Sequence, residues 1–273
     1  EDVYIKEFSA KVVECRKEEK GFQVILDQSA FYPEGGGQPS DLGILGDTAV
    51  TDVQEKNGEL IHYVKSELEP GTEVIGKIDW QRRFDLMQQH SGEHIVSGLV
   101  HEAYGYNNVG FHMSSDVITI DFSGVLDEKQ LAEIEEKTNR NIWEDNPVEI
   151  FYPDKEELAA LPYRSKKELT GKIRLVRFPG ADLCACCGTH VTHTGEIGMV
   201  KILSVENFRE GVRVTMISGK RVLDYLNMVN EQNHKVSVKL SAKATETARA
   251  VERLQEENYH LKGRILRLVQ ELC

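Results

Sequence analysis

His90-Ser91-Gly92-Glu93-His94 and Cys186-Cys187-Gly188-Thr189-His190 are the two stretches around which this chain is organised. In each stretch, a residue that can bind a metal ion is followed four positions later by a histidine. On a helix, positions i and i+4 share one face, so two imidazoles placed there can bind the same zinc ion. Cysteine and histidine from the second stretch would complete a four-ligand set. We therefore predict one zinc site per chain, built from His90, His94, Cys186 and His190.

Three blocks of the sequence carry a family resemblance. Two of them contain the metal motifs, QQHSGEHIVSGLV (88–100) and CCGTHVTHTGEIGMVKILSVENFREGVRV (186–214), and the third is FYPEGGGQPSDLG (31–43). Together they resemble the free-standing alanyl-tRNA editing proteins, the AlaX family, and the editing domain of alanyl-tRNA synthetase. The metal motifs are similar to those of threonyl-tRNA synthetase as well, so the glycine block narrows the resemblance to the alanyl type.

The cysteine motif departs from the family pattern at one position. In the family, the cysteine ligand is followed by Gly-Gly-Thr-His, whereas here Cys187 occupies the first of these glycine positions. Cys184 is also close in sequence, so two cysteines are candidates for the fourth ligand. The spacing of four residues before His190 favours Cys186.

The resemblance implies a deacylase that acts in trans on tRNA(Ala) wrongly charged with serine or glycine. Hydrolysis of the ester needs an activated water and stabilisation of the tetrahedral oxyanion. Zinc could supply either function, hold the substrate's amino group, or only shape the pocket, because four protein ligands are typical of closed structural sites. Glu93 is our candidate catalytic residue, and Asp182, His193 and His112 are alternative bases.

Two further sets of residues are candidates for contacts with the substrate. The three glycines of residues 31–43 suit a loop that approaches a ligand closely, and a serine-sized pocket would recognise the hydroxyl that alanine lacks. The predicted substrate-binding residues are Gly35, Gly36, Gly37, Gln38, Gly110, His112, Asp182 and Thr189. Residues 164–177 hold six Lys/Arg against one Glu, and either form a solvated charged surface or bind tRNA. The predicted tRNA-binding residues are Arg164, Lys166, Lys167, Lys172 and Arg174.

Composition indicates a globular protein of the cytoplasm. The chain has 273 residues, of which 40% are hydrophobic and 29% charged. It contains no apolar run long enough for a membrane span and no signal-peptide pattern, and its clustered cysteines suit a metal site in a reducing compartment. The net charge of −12 argues against indiscriminate nucleic-acid binding. The chain begins without Met, so we expect it to be part of a longer sequence.

The periodicity predicts an α+β fold in three regions. Residues 1–80 alternate in short strands around the glycine block, with a hairpin turn at Asn57-Gly58, and predict a small β-barrel-like domain. Residues 81–219 predict a zinc-containing editing domain that begins with the histidine-bearing helix and continues as a sheet with further helices. Residues 220–273 predict a helical extension, which we expect to be one long C-terminal helix.

From Leu240 to the last residue, the extension follows a heptad repeat. Leucines dominate the d positions, and Asn258 is the one strongly polar residue at an a position. This pattern predicts a coiled coil that pairs two chains through residues 240–272, or alternatively an amphipathic helix packed on the body of the protein. The repeat runs to the end of the chain, and longer members of the family continue into a further domain. We therefore expect the element to continue beyond the residues given.

Three other functions are consistent with parts of the sequence. The H-x-x-E-H spacing of residues 90–94 also occurs in zinc metalloproteases, with Glu93 as the base, but such a site needs a downstream glutamate ligand. A tRNA-binding module with structural zinc is the non-enzymatic alternative. Aminoacylation is not expected, because only about 80 residues precede the first histidine motif, too few for an ATP-binding catalytic domain.

Overall fold

The computed structural model describes residues 2–165 and 171–272 of the chain. It separates into two compact units, Glu1–Val222 and Leu223–Cys273. The first unit combines strands and helices, as the α+β prediction required, whereas the described part of the second is helical. The predicted boundary near residue 80, between a barrel-like domain and an editing domain, stays a prediction. Among the described residues, no helix combines the length and the apolar character that a membrane crossing requires.

The N-terminal strands close into a six-stranded barrel, as the alternating pattern predicted. The strands are β1 (Glu7–Glu18), β2 (Gly21–Leu26), β3 (Gly43–Leu45), β4 (Thr48–Lys56), β5 (Glu59–Val64) and β6 (Glu73–Ile78). Their order around the barrel is β1-β2-β5-β4-β3-β6, and neighbouring strands run antiparallel. The β4–β5 hairpin turns at Asn57 and Gly58, which both adopt positive φ as this turn type requires. The glycine block lies in the long connection between β2 and β3.

Helix α1 (Trp80–Tyr104) follows the barrel and is the central element of the first unit. Asp79 caps its N-terminus by accepting a hydrogen bond from the Arg82 backbone N–H, and Gly105 ends it in the left-handed conformation, with φ 70°. The helix is buried from Leu86 to Val100, so it is covered on all sides. Gly98 permits one of these contacts, because a Cβ there would lie 2.7 Å from the Asp182 Cβ.

Two sheets complete the first unit around α1. The larger sheet has the order β12-β13-β8-β7, and the smaller has the order β11-β10-β9. Their strands are β7 (Asn108–Met113), β8 (Ile118–Phe122), β9 (Glu149–Phe151), β10 (Leu175–Phe178), β11 (Asp182–Ala185), β12 (Val200–Phe208) and β13 (Gly211–Ser218). Helices α2 (Glu128–Trp143) and α3 (Lys155–Ala160) and a short 3₁₀ turn (Thr194–Ile197) connect them. The periodicity did not predict β11, which is only four residues long and begins the cysteine cluster.

A buried ion pair joins α1 to the loop that carries the glycine block. The Arg83 Nε donates to Asp41 Oδ1 at 2.8 Å, and both side chains are almost completely buried. The same guanidinium donates to the carbonyl oxygens of Val3, at 2.7 Å, and Ala30, at 2.8 Å. Removing either charged partner would leave the other buried without compensation, which is strongly destabilising. The barrel loop is therefore held at a defined position on α1.

The prediction of one continuous C-terminal helix is wrong. The segment forms two helices, α4 (Lys220–Leu240) and α5 (Thr247–Leu272), with Ser241 in a left-handed conformation between them. Asn233 stabilises the break, because its Nδ2 donates to the Ala244 carbonyl at 2.7 Å and its Oδ1 accepts from the Thr247 hydroxyl at 2.8 Å. The heptad repeat therefore cannot run through residues 241–246 as one coil, and only α5 retains an unbroken pattern.

Pairing of two chains through α5 stays a prediction. The leucines of the heptad, Leu254, Leu261 and Leu268, are about half exposed, at 51–55%. Replacing Asn258 by Leu should raise stability and relax register or strand number, because the polar a residue restricts both. Light scattering over a concentration series measures the assembly. A monomer at all concentrations, unchanged by deletion of residues 247–272, would contradict the pairing.

His62, buried in the barrel, should make the first unit sensitive to acid. Its ring lies 2.8 Å from the Ser29 Oγ and 3.1 Å from the Val24 carbonyl oxygen. Burial lowers the pKa of His62 from 6.5 to about 4, against the opposite effect of the Val24 carbonyl. The unfolded chain therefore binds a proton at a higher pH than the folded chain does. The stabilisation is complete above pH 6.5 and is lost as pH falls towards 4, by about 3 kcal/mol.

Chemical unfolding of the wild type and of His62→Gln at pH 7 and pH 5 tests this expectation. The wild type should lose more free energy of unfolding between these pH values than the variant does. His101→Gln removes an exposed histidine from α1 and serves as the matched control. Equal losses in the wild type and His62→Gln would contradict the assignment.

Candidate metal centre

Four side chains that can bind a metal ion meet between α1 and the loop that follows β11. His90 and His94 lie one turn apart on α1, and Cys186 and His190 come from the loop. Their ligand atoms all lie within 4.8 Å of one another, and the Cys186 Sγ is 3.5 Å from the His90 Nε2. The grouping predicted from the sequence is therefore present. Only the histidine pair of α1 is on a helix, because residues 186–190 form a loop.

Gly188 allows this loop to reach the helix. A Cβ at this position would lie well inside van der Waals distance of the His90 ring and 3.0 Å from the Gln38 Oε1. Any other residue would push either the loop or the histidine away from the cluster. Sequence reasoning identified Gly188 only as a turn residue, because its role depends on a close approach that spacing does not reveal.

The side chain of Gln38 fixes the orientation of His90. Gln38 comes from the glycine block, is completely buried, and donates through Nε2 to the Thr189 hydroxyl at 2.7 Å. Its Oε1 accepts from the Thr189 backbone N–H at 3.0 Å and lies 2.9 Å from the His90 Nδ1. Because Oε1 can only accept, this network assigns the proton of His90 to Nδ1 and leaves Nε2 free towards Cys186.

Asp182 does the same for His94. Its Oδ2 lies 2.8 Å from the His94 Nδ1, and the Arg164 guanidinium binds both carboxylate oxygens, at 2.7 and 2.8 Å. Burial alone would lower the pKa of His94, but Asp182 and the neighbouring sulfurs of Cys184 and Cys186 raise it well above its ordinary value. A carboxylate that orients a histidine in this way is the usual partner of a metal-binding imidazole.

The buried atoms of the cluster fit a metal ion. Among the described residues, no hydrogen-bond partner exists for the His94 Nε2 or for either ring nitrogen of His190. Burial lowers the pKa of His190 to about 3, so its ring is neutral. Burial raises the pKa of Cys186, but the adjacent rings of His90 and His190 outweigh this effect and lower it well below its ordinary value. Metals bind thiolates and neutral imidazoles, so binding here would release the proton that the raised pKa keeps on His94. One sulfur and three imidazoles are a donor set that suits zinc.

The glycine block packs against the cluster on the side of His90. The Phe111 ring is stacked on His90, with centroids 5.5 Å apart and an interplanar angle of 19°. Gly37 has φ 88°, and a Cβ there would lie 2.7 Å from the Phe111 Cδ1, so only glycine fits. Gly36 is exposed and also has positive φ, whereas Gly35 is partly buried. Gly37 thus allows the glycine block to approach the aromatic ring that is stacked on His90.

Glu93 belongs to a separate buried network on α1. Its Oε1 accepts from the Ser97 hydroxyl at 2.6 Å and from the Asn108 Nδ2, and Asn108 Nδ2 also lies 3.2 Å from the Ser97 Oγ. All three side chains are at least nine-tenths buried. Sequence reasoning did not identify Ser97 or Asn108, because neither belongs to a recognisable motif and their link to Glu93 is a tertiary contact.

The structure places the other predicted site residues in different environments. His112 is exposed on β7. Gly110 packs so closely on Asp121 that a Cβ at this position would lie 2.6 Å from the Asp121 Oδ2. His193 is exposed, with its Nδ1 3.7 Å from an Asp145 carboxylate oxygen. These residues are not brought into the cluster, whereas Asp182 and Thr189 lie directly behind its histidines.

Two arginines of the predicted basic segment, residues 164–177, form hydrogen bonds with residues of the cluster or with the partners of its histidines. Arg164 is occupied by Asp182, and the Arg174 Nη1 donates to the Cys186 carbonyl oxygen at 2.6 Å. Lys172 is exposed, and its Nζ lies 4.3 Å from the centre of the Tyr152 ring. Lys166 and Lys167 lie outside the described residues. The geometry therefore gives Arg164 and Arg174 structural partners within the chain.

Two known protein families match this chain, one over the N-terminal barrel and one over the region that contains Cys186 and His190. The family described as tRNA synthetases class II (A) matches residues 3–82, and the Threonyl and Alanyl tRNA synthetase second additional domain matches residues 173–213. Over 290 residues, the chain is 33% identical to alanyl-tRNA editing protein Aarsd1-A of Xenopus laevis, covering 100% of this chain and 70% of the relative. The chain belongs to the alanyl-tRNA editing protein family.

Two other relatives are similar to this chain at about the same identity but differ in how much of their own length it covers. Alanyl-tRNA editing protein AlaX-L of Pyrococcus horikoshii is 34% identical over 238 residues, which cover 84% of this chain and 59% of that protein. Alanine–tRNA ligase of Ignicoccus hospitalis is 33% identical over 288 residues, which cover 99% of this chain but only 32% of the ligase. This chain is thus similar to a segment of a much longer enzyme.

Replacing Cys186 tests the assignment of the fourth ligand. Cys186→Ala should lose most of its bound metal, because it removes the only sulfur donor of the four-residue cluster. Cys184→Ala should retain its metal, and Cys187→Ala, which changes the exposed neighbour, is the matched control. Elemental analysis of the purified variants gives the metal content per chain. Full occupancy in Cys186→Ala, or equal loss in all three variants, would contradict the assignment.

Proposed function

We propose that this chain hydrolyses, in trans, the ester bond of tRNA(Ala) mischarged with serine or glycine. The observation that carries the proposal is the cluster of three histidines and one cysteine, built in a chain that belongs to the alanyl-tRNA editing family. The names of the relatives refer to editing of alanyl-tRNA, and the presence of the cluster supports the same chemistry in this chain. The seryl or glycyl identity of the substrate is part of the proposal.

The proposed cofactor is one zinc ion, held by His90, His94, Cys186 and His190. Bound there, zinc would supply positive charge to a substrate carbonyl, water or amino group. The chain's own residues prepare the ligands: Gln38 and Asp182 direct the free nitrogens of His90 and His94 towards the cluster. Outer partners of this kind typically contribute about 10–100-fold to metal affinity or activity.

Glu93 is the proposed general base. Attack of water on the ester carbonyl carbon requires a group that accepts the proton of the water, and the ribose oxygen must be protonated as it leaves. Asp182 is occupied by His94 and Arg164, and His112 and His193 are exposed away from the cluster. Glu93 is buried on α1 beside a proposed ligand, and its carboxylate is held by Ser97 and Asn108. Glu93 is therefore the candidate that remains, although the hydrogen bonds of its carboxylate belong to a network separate from the cluster.

The glycine block and the basic segment complete the proposed substrate interface. Gly35, Gly36 and Gly37 would form one wall for the aminoacylated end of the tRNA, since Gly36 and Gly37 are exposed and Gly37 contacts Phe111, whose ring is stacked on His90. Lys172, whose side chain is exposed, would bind tRNA phosphates, and the same role is proposed from the sequence alone for Lys166 and Lys167. Arg164 and Arg174 would act indirectly, by holding Asp182 and the Cys186 carbonyl.

The metalloprotease alternative fits this geometry poorly. An H-x-x-E-H protease needs a glutamate as the third ligand beside the two histidines of the helix. In the part of the chain that the structure describes, Cys186 and His190 occupy the positions around His90 and His94. An unstructured peptide is therefore not expected to be cleaved.

Deacylation of seryl-tRNA(Ala) tests the proposed function. The purified chain should release serine faster than the uncatalysed reaction, and a chelator that removes the metal should abolish most of this acceleration. Glycyl-tRNA(Ala), correctly charged alanyl-tRNA(Ala) and an unstructured peptide are assayed in parallel. Absence of hydrolysis with tRNA binding retained would favour a binding module, and cleavage of the peptide alone would favour the protease.

Glu93→Gln tests the role of the proposed base. Glutamine keeps the shape of glutamate and can still accept from Asn108, but it cannot take up a proton from water. Deacylation should fall by about 10²–10⁴-fold while metal content and thermal stability change little. Single-turnover kinetics and elemental analysis measure the two properties. A variant that deacylates at the wild-type rate would remove Glu93 from the mechanism.

A further inference from the structure

A cavity lies at the corner between α4 and α5, within the second unit. Its volume is about 390 Å³, and its wall is formed by residues of the connection and of the first two turns of α5. Ligand sites typically measure about 300–1,000 Å³, so the cavity has room for a group of several heavy atoms. Ser241, in its left-handed conformation, and the two hydrogen bonds of Asn233 hold the chain in this corner.

Three cationic side chains line this cavity, and we call them the corner site. Lys243 comes from the connection, and Arg249 and Arg253 lie four positions apart on α5, so the two arginines share one face of the helix. Glu246 is the one acidic residue among the described residues of the wall. The wall thus carries three positive charges against one negative charge, in a chain whose net charge is −12.

Within the described part of the chain, no salt bridge neutralises the three cations, and Glu246 forms none with them. On other helices, by contrast, Arg140 and Lys235 each pair with a glutamate four positions away. Like charges at this spacing repel each other, so Arg249 and Arg253 destabilise the start of α5 while no anion lies between them. An anion bound at the corner site would remove this repulsion.

The chemistry of the corner site favours a phosphate group. The N–H groups of a guanidinium match the oxygens of a phosphate, and two arginines lie on the same wall. The backbone of a tRNA presents a phosphate at every nucleotide. Arg164 and Arg174 of the predicted basic segment form hydrogen bonds within the chain, so they are poorly suited to supply those contacts.

The corner site lies away from the apolar stripe of α5. With Asn258 at an a position, Val251 and Leu254 occupy a and d, whereas Arg249 and Arg253 occupy the outer positions f and c. Pairing of two chains through the stripe would therefore leave both arginines accessible.

We propose that the corner site binds backbone phosphates of tRNA. The identity of the RNA rests on the proposed deacylase function, and the corner site names a surface by which the chain would hold that substrate. The contact is electrostatic and carries no information on the amino acid, so it contributes affinity and not amino-acid specificity.

Binding of uncharged tRNA(Ala) to the full chain tests the proposal. The double variant Arg249→Gln/Arg253→Gln removes two charges and keeps residues that favour a helix. Its Kd should be about 10- to 100-fold higher than that of the wild type, because charged hydrogen bonds are lost. The slope of log Kd against log salt concentration should fall by about one for each arginine removed. Fluorescence anisotropy over a salt series measures both quantities.

The double variant Arg264→Gln/Arg267→Gln is the matched control. Both side chains are exposed on the same helix outside the cavity, and the change in net charge is the same. The control should keep most of the affinity, and circular dichroism checks that both variants retain their helices. Equal losses in the two variants would assign tRNA binding to the overall charge of α5 and overturn the corner site.

Titration of the wild type with inorganic phosphate distinguishes a small anion from the tRNA backbone. Wild-type affinity for tRNA(Ala) in the corner variant would overturn the proposal, and calorimetric binding of inorganic phosphate would then assign the cavity to a small anion. Failure of the proposed function gives a different result. A wild type that hydrolyses no mischarged tRNA, but whose corner variant loses tRNA affinity, would remove the deacylase activity and support the corner site.

Discussion

The amide of one buried side chain, Gln38, connects the parts of the molecule that the proposed chemistry needs. It extends from the loop of the N-terminal barrel, donates to the Thr189 hydroxyl, accepts from the Thr189 backbone and orients the His90 ring. The barrel therefore contributes a side chain that orients one histidine of the candidate metal centre. The buried Arg83–Asp41 pair holds the same loop on α1, so the position of Gln38 does not depend on the amide alone. Through the contacts of Gln38 with Thr189 and His90, the glycine block and the two metal motifs form one connected site.

A second constraint is the close approach of backbone segments around the histidines. The loop at Gly188 and the helix at Gly98 both come so near to their neighbours that a methyl group would not fit. These contacts bring His90, His94, Cys186 and His190 together, and Asp182 and Gln38 set the ring orientations. Side chains that the protein holds in this way reduce the ordering that metal binding would impose on the ligands.

The sequence predicted those features that local patterns encode. Helix α1 was predictable because its apolar spacing and the stop at Gly105 are local signals, and the hairpin at Asn57-Gly58 was predictable from turn chemistry. The grouping of the four cluster residues was predicted from their spacing. The contact that holds the loop of Cys186 and His190 was not predicted, because it joins Gln38 to Thr189, 151 positions away. The break between α4 and α5 was missed because the hydrogen bonds of Asn233 that stabilise it do not disturb the heptad pattern. Asn108 was missed for a similar reason, since its partner Glu93 is identified only in three dimensions.

The zinc affinity of Gln38→Met tests most directly whether the barrel is part of the metal centre. Methionine has nearly the same length as glutamine but cannot make its hydrogen bonds to Thr189 and His90. Competition with a chelator of known affinity should show zinc binding about 10–100-fold weaker than in the wild type. Gln54→Met, which changes a glutamine of strand β4 that bonds Glu34 and Asp52, should bind zinc as the wild type does. Wild-type affinity in Gln38→Met, with the fold intact by circular dichroism, would contradict the account.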